Sequence, residues 1–315
     1  MPIPQRHRPE ISLIRSRSKR FIIFLAAGIQ SGAFGGVISG AITSTLDGAQ
    51  GIRGWRWLFI VEGVATAGVS LVVHWTLLDY PHSSRRLSSE ERKLAQQRLM
   101  EDGIEQGDST TQNTSIFVLL LKALSNWRAW VLIPGYITLS GAGAISYFYP
   151  TLINDMGYTS TNAQYMTAPL YIASLVAAVP MHGICWFADR KSHARGQLLV
   201  GNMIVGMVFF ALTAAIRNYI ARYVFLCFIN MTLWTGGALA LSFATTALAS
   251  VTPDVRAIML AWIPAVAALA QLYGSALFPA EDSPGYVVGF SVFAATFAVG
   301  SVCHGLADIL FKRYP

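Results

Sequence analysis

Charged side chains are scarce in this sequence. Asp, Glu, Lys and Arg make up 12% of its 315 residues, about half of the roughly 25% that soluble domains carry. So few charges could not cover the surface of a water-soluble globule, and the mean hydropathy of +0.48 agrees. The charges stand in short blocks between long uncharged runs, which indicates an all-α polytopic membrane protein.

Residues that would indicate an enzyme or a bound metal are also scarce. The chain has three cysteines, each inside an apolar run and without metal-ligand spacing. Its six histidines form no HxxxH or HExxH pattern, and the chain contains no P-loop, Rossmann fingerprint or Gly-x-Ser-x-Gly elbow. We therefore expect no catalytic centre and no cofactor, and a membrane enzyme is the least favoured class of function.

Eight apolar runs are long enough to cross a bilayer, which takes about 20 residues each. The first run is too long for the core of a signal peptide and is not followed by a small-residue cleavage site, so we interpret it as a retained helix. The eight runs cover residues 21–43, 57–78, 129–149, 167–187, 197–216, 223–246, 257–278 and 287–310.

The basic residues give the orientation of these spans. With the N-terminus in the cytoplasm and every span crossing, 19 of the 23 Lys and Arg residues fall on the cytoplasmic side. This bias matches the positive-inside rule and places both chain ends in the cytoplasm. It also explains the net charge of +7 without nucleic acid as a partner. The bilayer itself is the expected partner.

A single long connection divides the chain unevenly. Residues 1–20 form a basic cytoplasmic tail, 21–78 hold two spans, 79–128 form a cytoplasmic loop, and 129–311 hold six spans. Many transporters consist of two six-helix halves joined by such a loop. The sequence Ser88-Ser89-Glu90-Glu91 inside the loop is typical of a helix start, with acidic residues in the first turn.

Two features of the first two spans concern packing. Gly28, Gly32, Gly36 and Gly40 stand four residues apart and share one helical face, which allows close helix approach in lipid. The carboxylate of Glu62 lies within two turns of the start of the second span. We favour a structural ion pair with Arg53 or Arg56 over a functional role, because Glu62 is shallow in the membrane.

Several stretches resemble a known family. The sequence GIRGWRWLFIVEG, with the following LLDYPHSSRRLSSEERKLAQQRL, is similar to the fifth-to-sixth helix region and central loop of fungal anion:cation symporters. This is the allantoate permease-like branch of the major facilitator superfamily. SYFYPTLINDMGYTSTNAQYMTAPLY is similar to its seventh-to-eighth helix region, and FADRKSHARG to its eighth-to-ninth loop.

The resemblance implies a major facilitator-like fold in which the eight spans correspond to helices five to twelve. The first four family helices have no counterpart in this sequence. It also implies secondary active, proton-coupled transport of a small organic anion such as allantoate, nicotinate or pantothenate. The plasma membrane is the expected location, with the vacuolar or another membrane as the alternative. A chain that does not transport and acts through partners, or a degraded gene product, is the alternative function.

The resemblance also assigns a conformational role to one loop. Asp189, Arg190 and Arg195 resemble the cytoplasmic motif that latches one helix end against another in this superfamily. An acidic side chain at a helix N-terminus is consistent with that role. The alternative is a basic loop that only sets topology.

Polar and aromatic residues within the spans are the candidates for solute contact. Asn and Gln at depth bind a solute or bridge helices, and Tyr or Trp near span ends are commonly interfacial residues. No Lys or Arg lies centrally in any span to pair with an anion. The candidates are Tyr147, Tyr149, Asn230, Trp234, Gln271 and Tyr273.

Overall fold

The computed structural model describes residues 8–77, 84, 86–101, 115–188 and 194–314, and all regular structure within these ranges is helical. Each of the eight predicted spans coincides largely with a helix or with consecutive helices, which confirms the all-α class. Among the described residues, six helical segments are long and apolar enough to cross a membrane: Gly54–Thr76, Trp127–Asn154, Arg195–Ala215, Tyr219–Ala247, Pro253–Gly274 and Val287–Arg313. The other two predicted spans lie in helices Arg8–Thr45 and Ala168–Ala188.

The chain forms two compact units. The first contains residues 1–21 and 42–116, and the second contains residues 22–41 and 117–315. Helix α1 (Arg8–Thr45) therefore contributes to both units. The first unit also contains α2 (Gly54–Thr76) and α3 (Ser89–Glu101).

Local sequence explains the helix boundaries in the first unit. Gly48 and Gly51 have positive φ angles in the turn before α2, a conformation that glycine adopts without strain. The carboxylate of Asp47 then accepts a hydrogen bond from the amide of Gly54, the first residue of α2. At α3, Ser88 and Glu91 exchange reciprocal bonds between side chain and backbone amide. This capping box confirms the predicted helix start.

The second unit is a bundle of long helices with short helical connections. Asn126 caps α5 by accepting a hydrogen bond from the backbone amide of Arg128. Asn218 caps α10 in the same way through the amide of Ala221. Pro253 starts α11, where its missing N–H costs nothing. Its helices are α4 (Ile116–Ser125), α5 (Trp127–Gly143), α6 (Tyr149–Asn154), α7 (Ser160–Tyr165), α8 (Ala168–Ala188), α9 (Ala194–Ala215), α10 (Tyr219–Ala247), α11 (Pro253–Ala268), α12 (Gln271–Gly274) and α13 (Val287–Arg313).

The core of the bundle lies where α13 packs on α5 and α9, while α10 packs on α8 and α9. Phe210 of α9 sits between Phe293 and Phe297 of α13, with ring centroids 5.5 and 5.1 Å away. All three rings are fully buried. This rigid packing holds α5, α8 and α10 around the cavity described below.

Two boundaries differ from the sequence-based expectation. Residues 116–125, predicted as part of a cytoplasmic loop, form the apolar helix α4, and α5 follows after Asn126 alone. Arg222, predicted in an outer loop, is buried in the first turns of α10. Its guanidinium donates to the carbonyls of Pro284 and Gly285 and lies over the ring of Phe290, which offsets the cost of burying the charge.

Candidate functional site

A cavity of about 270 Å³ lies within the second unit. Its volume is close to the lower end of small-molecule pockets, roughly 300–1,000 Å³. Aromatic rings, amides, hydroxyls and aliphatic groups form its wall. The lining residues are Tyr136, Leu139, Ser140, Gly143, Ser146, Tyr171, Asn230, Leu233, Trp234, Gly237, Pro264, Ala267 and Gln271.

The same spacing on two helices produces the cavity. On α5 the lining positions are 136, 139, 140 and 143, and on α10 they are 230, 233, 234 and 237. Both sets follow i, i+3, i+4, i+7, which is one face of an α-helix. Each set ends in a glycine, and a Cβ added at Gly143 or Gly237 would meet nothing within 4 Å. The missing side chains therefore leave the open space.

Three of the six predicted solute-contact residues line this cavity: Asn230, Trp234 and Gln271. Asn230 is buried, and its amide is engaged by the protein. Its Nδ2 donates to the carbonyl of Leu170 at 3.0 Å and to Oγ of Ser174 at 2.9 Å. Its Oδ1 accepts from the hydroxyl of Tyr149 at 3.0 Å. Asn230 thus bridges helices at the cavity wall.

The other three predicted residues lie beside the cavity wall. Tyr149 is fully buried and supports Asn230 from behind. Tyr147 is exposed and donates to Oε1 of Gln271 at 3.1 Å. The hydroxyl of Tyr273 lies against Gly141, where an added Cβ would come within 1.9 Å of it. Two of the three therefore orient lining residues, and the third packs on α5.

Polar groups of the wall, among them a hydroxyl and an amide nitrogen, are available to a solute. The hydroxyl of Tyr136 is buried and has no hydrogen-bond partner within the described part of the chain. The bond from Tyr147 occupies the oxygen of Gln271, and within the same ranges no partner is seen for its Nε2. Both can donate, and the buried hydroxyl of Tyr136 favours a ligand that supplies an acceptor, because a buried donor without a partner is costly.

Sequence reasoning missed Tyr136, Ser140 and Tyr171. The signal that would have found the first two is the i, i+3, i+4, i+7 spacing that α5 shares with α10. Tyr171 carries no such signal, since its position depends on how α8 packs against α10. Its ring meets that of Trp234 edge-on, with centroids 6.4 Å apart.

The glycine face of α1 reaches these same aromatic rings. Within the second unit, a Cβ added at Gly32 would lie 2.3 Å from the ring of Tyr171, and one at Gly28 would lie 3.8 Å from Trp234. An added Cβ would lie 2.1 Å from Oγ1 of Thr167 at Gly36 and 2.8 Å from the ring of Tyr165 at Gly40. The predicted close packing of this glycine face is thus seen at Gly32, Gly36 and Gly40, whereas Gly28 makes ordinary van der Waals contact.

The sequence profile of the Major Facilitator Superfamily matches residues 9–275. The chain belongs to the Major Facilitator Superfamily. A crystal structure of a bacterial homologue of the human lysosomal transporter Spinster, inward-facing and unoccupied, matches this superfamily member with a TM-score of 0.64. The match is 14% identical in sequence and covers 95% of this chain and 72% of that one, so it supports the fold.

Two relatives of this superfamily member are themselves described as transporters. MFS transporter prlL of a fungal species is 34% identical over 213 residues, which is 66% of this chain and 41% of prlL. The uncharacterized transporter C1002.16c of Schizosaccharomyces pombe is 25% identical over 315 residues, covering 96% of this chain and 59% of its own. The chain thus spans about half the length of these relatives. Its superfamily and its apolar helices together show that it is an integral, multi-pass membrane protein.

The predicted pairing of Glu62 is not observed. Glu62 is exposed on α2, and among the described residues it forms no ion pair with Arg53 or Arg56. Arg56 instead lies over the ring of Trp55 at 5.2 Å. The reason is helical geometry: residues six or nine apart face away from each other, whereas pairs form at spacings of three or four.

The cytoplasmic motif is visible only in part. Asp189 and Arg190 lie outside the described residues, so their latch role stays a prediction. Nη1 of Arg195 contacts the carbonyl of Ser242 and Oγ1 of Thr246 near the C-terminus of α10. A cation at that position interacts favourably with the helix dipole.

Proposed function

We propose that the protein takes part in secondary active, proton-coupled transport of a small organic anion, and that the solute rests against the cavity of the second unit. The observation that carries this proposal is the composition of the cavity wall. Three aromatic rings, from Tyr136, Tyr171 and Trp234, stand beside amide and hydroxyl groups. Such a wall suits a small organic molecule with a flat, partly apolar body.

The charged group of the solute needs separate consideration. The described residues that line the cavity include no Lys, Arg or His. A carboxylate held here would therefore bind neutral donors, of which Nε2 of Gln271 and the hydroxyl of Tyr136 are available. Neutral donors bind carboxylates less strongly than cations do, so we expect modest affinity from this wall alone. Proton coupling and the plasma membrane as location rest on the family resemblance.

The experiment is uptake by the chain reconstituted in liposomes with an imposed inward proton gradient. Labelled nicotinate, pantothenate and allantoate are the probes. We expect accumulation of at least one probe above empty liposomes, with loss of accumulation when the gradient is dissipated. Accumulation that ignores the gradient contradicts proton coupling, and no accumulation of any probe contradicts transport of this solute class by the chain.

A matched pair of variants connects uptake to the cavity. Trp234→Ala removes a ring from the wall, whereas Leu306→Ala shortens an exposed side chain on α13. Loss of one stacked ring costs about 1–2 kcal/mol of binding, so we expect the KM to rise roughly tenfold for Trp234→Ala only. Equal KM values for the two variants would place the solute elsewhere.

A further inference from the structure

His304 is a buried ionisable residue inside the membrane-spanning helix α13. It is 1% exposed, and neither of its ring nitrogens has a hydrogen-bond partner within the described ranges. Buried polar groups are nearly always bonded, so each exception needs an explanation. Ionisable residues within spans are costly and are typical of functional sites. Packing alone therefore does not explain His304.

Three helices hold the imidazole of His304 in place. On α5, a Cβ added at Gly135 would lie 2.5 Å from Nε2 of the ring, so a larger residue there would displace it. The ring of Tyr136 meets the imidazole edge-on with centroids 6.4 Å apart, and the ring of Phe243 on α10 does so at 6.3 Å. The imidazole therefore fills a site that the glycine leaves open, between α5, α10 and its own helix.

Tyr136 connects this site to the cavity. Its side chain lines the cavity wall, and its hydroxyl, like the imidazole, is buried without a hydrogen-bond partner in the described part of the chain. The two unpartnered groups thus belong to neighbouring side chains, one at the wall and one behind it. The described lining residues include no Lys, Arg or His. A proton bound to His304 would place a positive charge one side chain away from a wall that otherwise offers neutral donors.

Charged residues of the helices packed around His304 have other partners. Asp308, one turn further along α13, forms an ion pair with Lys312. Three of the four arginines in the described ranges of α5, α9, α10 and α13 donate to backbone carbonyls, and the fourth lies over an aromatic ring. These arginines are Arg128, Arg195, Arg222 and Arg313. Of the two rings that meet the imidazole, only the phenol of Tyr136 is titratable, and phenols remain neutral near pH 7. A charge on His304 would therefore attract an anion in the cavity.

We propose that His304 binds the proton that accompanies an anionic solute, and that its imidazolium supplies the positive charge that the cavity wall lacks. This inference rests on the proposed transport of an organic anion and adds the residue at which the proton binds. The proton comes from water in the cavity, binds the ring nitrogen that carries no hydrogen, and returns to water when the solute leaves. Opposite charges attract strongly in a weakly screened interior, so each ligand increases the affinity of the protein for the other.

The pH dependence of solute binding tests this role. Equilibrium dialysis of the full chain in detergent micelles, with labelled nicotinate, pantothenate and allantoate, gives the Kd of each probe between about pH 5 and pH 8, where imidazole titrates. The variant His304→Gln removes the buried imidazole, and His74→Gln removes an exposed one on α2 as the matched control. The ionisation of the probe itself affects all three proteins alike.

We expect the Kd of the wild type and of His74→Gln to rise with pH, by up to about tenfold per pH unit for one linked proton. His304→Gln should lose this rise. The same rise in His304→Gln would overturn the proposal while leaving the proposed function intact. Failure of the wild type to bind any of the three probes would instead contradict the proposed function, and the role of His304 would fall with it.

A second measurement on the unmodified chain applies even if His304→Gln does not fold. The hydrogen on the carbon between the two ring nitrogens of histidine exchanges with deuterium oxide through the imidazolium form, and mass spectrometry of peptides follows this exchange. We expect exchange at His304, at a slower rate than at the exposed His74. No exchange at His304 during the time in which His74 exchanges completely would mean that no proton reaches the buried ring, which overturns the proposal.

Discussion

The hydroxyl of Tyr149 donates a hydrogen bond to Oδ1 of Asn230 at 3.0 Å, in a part of the bundle where both residues are buried. Because Asn230 also donates to Leu170 and Ser174, one amide joins α6, α8 and α10. A buried amide with all these bonds made fixes the distance between helices. Asn230 therefore sets the shape of the cavity wall. A solute would meet an amide whose polar atoms are already bonded within the protein.

Tyr149→Phe and Tyr147→Phe form a matched pair, since each removes a hydroxyl that donates to an amide oxygen. We expect Tyr149→Phe to lower the free energy of unfolding by about 1 kcal/mol, because it leaves a buried acceptor without its partner. Tyr147 is 70% exposed, so its variant should change stability by less than about 0.5 kcal/mol. Equilibrium unfolding in mixed micelles measures both values. Equal losses would contradict the bridging role of Asn230.

Gly36→Ala and Gly35→Ala should change stability in opposite directions. An added Cβ at Gly36 would lie 2.1 Å from Oγ1 of Thr167, whereas one at Gly35 meets nothing within 4 Å. We expect Gly36→Ala to destabilise the protein by about 1–3 kcal/mol through overpacking. Gly35→Ala should stabilise it by up to about 1 kcal/mol, since alanine favours a helix. Thermal unfolding in detergent gives the comparison, and shifts of the same sign would show that the α1 face does not pack closely.

Arg222→Met should release the loop 279–286 that precedes α13. Removing the guanidinium leaves the carbonyls of Pro284 and Gly285 without their donor. Each lost hydrogen bond to the charged group lowers the free energy of unfolding by about 1.5–3 kcal/mol. We expect faster cleavage after Glu281 by a glutamate-specific protease. Arg217→Met, which changes an exposed arginine before α10, is the control. Unchanged cleavage in Arg222→Met would mean that the loop is held by other contacts.

The capping box of α3 predicts a pH dependence. Hydrogen bonds from the backbone amide and hydroxyl of Ser88 hold the pKa of Glu91 below its ordinary value of 4.5. Since the folded helix favours the ionised carboxylate of Glu91, this carboxylate stabilises α3 fully above pH 4.5. The stabilisation is lost as the pH falls through the lowered pKa. Ser88→Ala should raise the pKa of Glu91, measured by NMR titration, whereas Ser89→Ala should not. A pKa that is unchanged in Ser88→Ala would contradict the capping box.

Sequence patterns predicted the spans because long apolar runs and basic ends are properties of the chain itself. They did not predict α4 because its ten apolar residues are fewer than a span needs, and a loop was the simpler interpretation. Arg222 was placed in an outer loop for a similar reason: a charge normally ends an apolar run. Its burial depends on carbonyls more than 60 residues away, which no local pattern indicates.

The cavity was predictable in part. Asn230, Trp234 and Gln271 stood out because polar or amphipathic side chains are rare within spans. Tyr136 and Tyr171 did not, since nothing in their local sequence distinguishes them from the other tyrosines of the spans. Whether a tyrosine faces lipid or a cavity depends on how helices rotate against each other. Only the tertiary structure supplies that rotation.

Trp234 belongs to two surfaces at once, since its indole lines the cavity and also lies against Gly28 of α1. A solute that displaced the indole would therefore press on α1, and a sliding movement of α1 past the indole would change the space left for the solute. Such coupling is reciprocal by thermodynamic necessity. Filling the cavity and shifting this helix would then be two ways of acting on a single equilibrium.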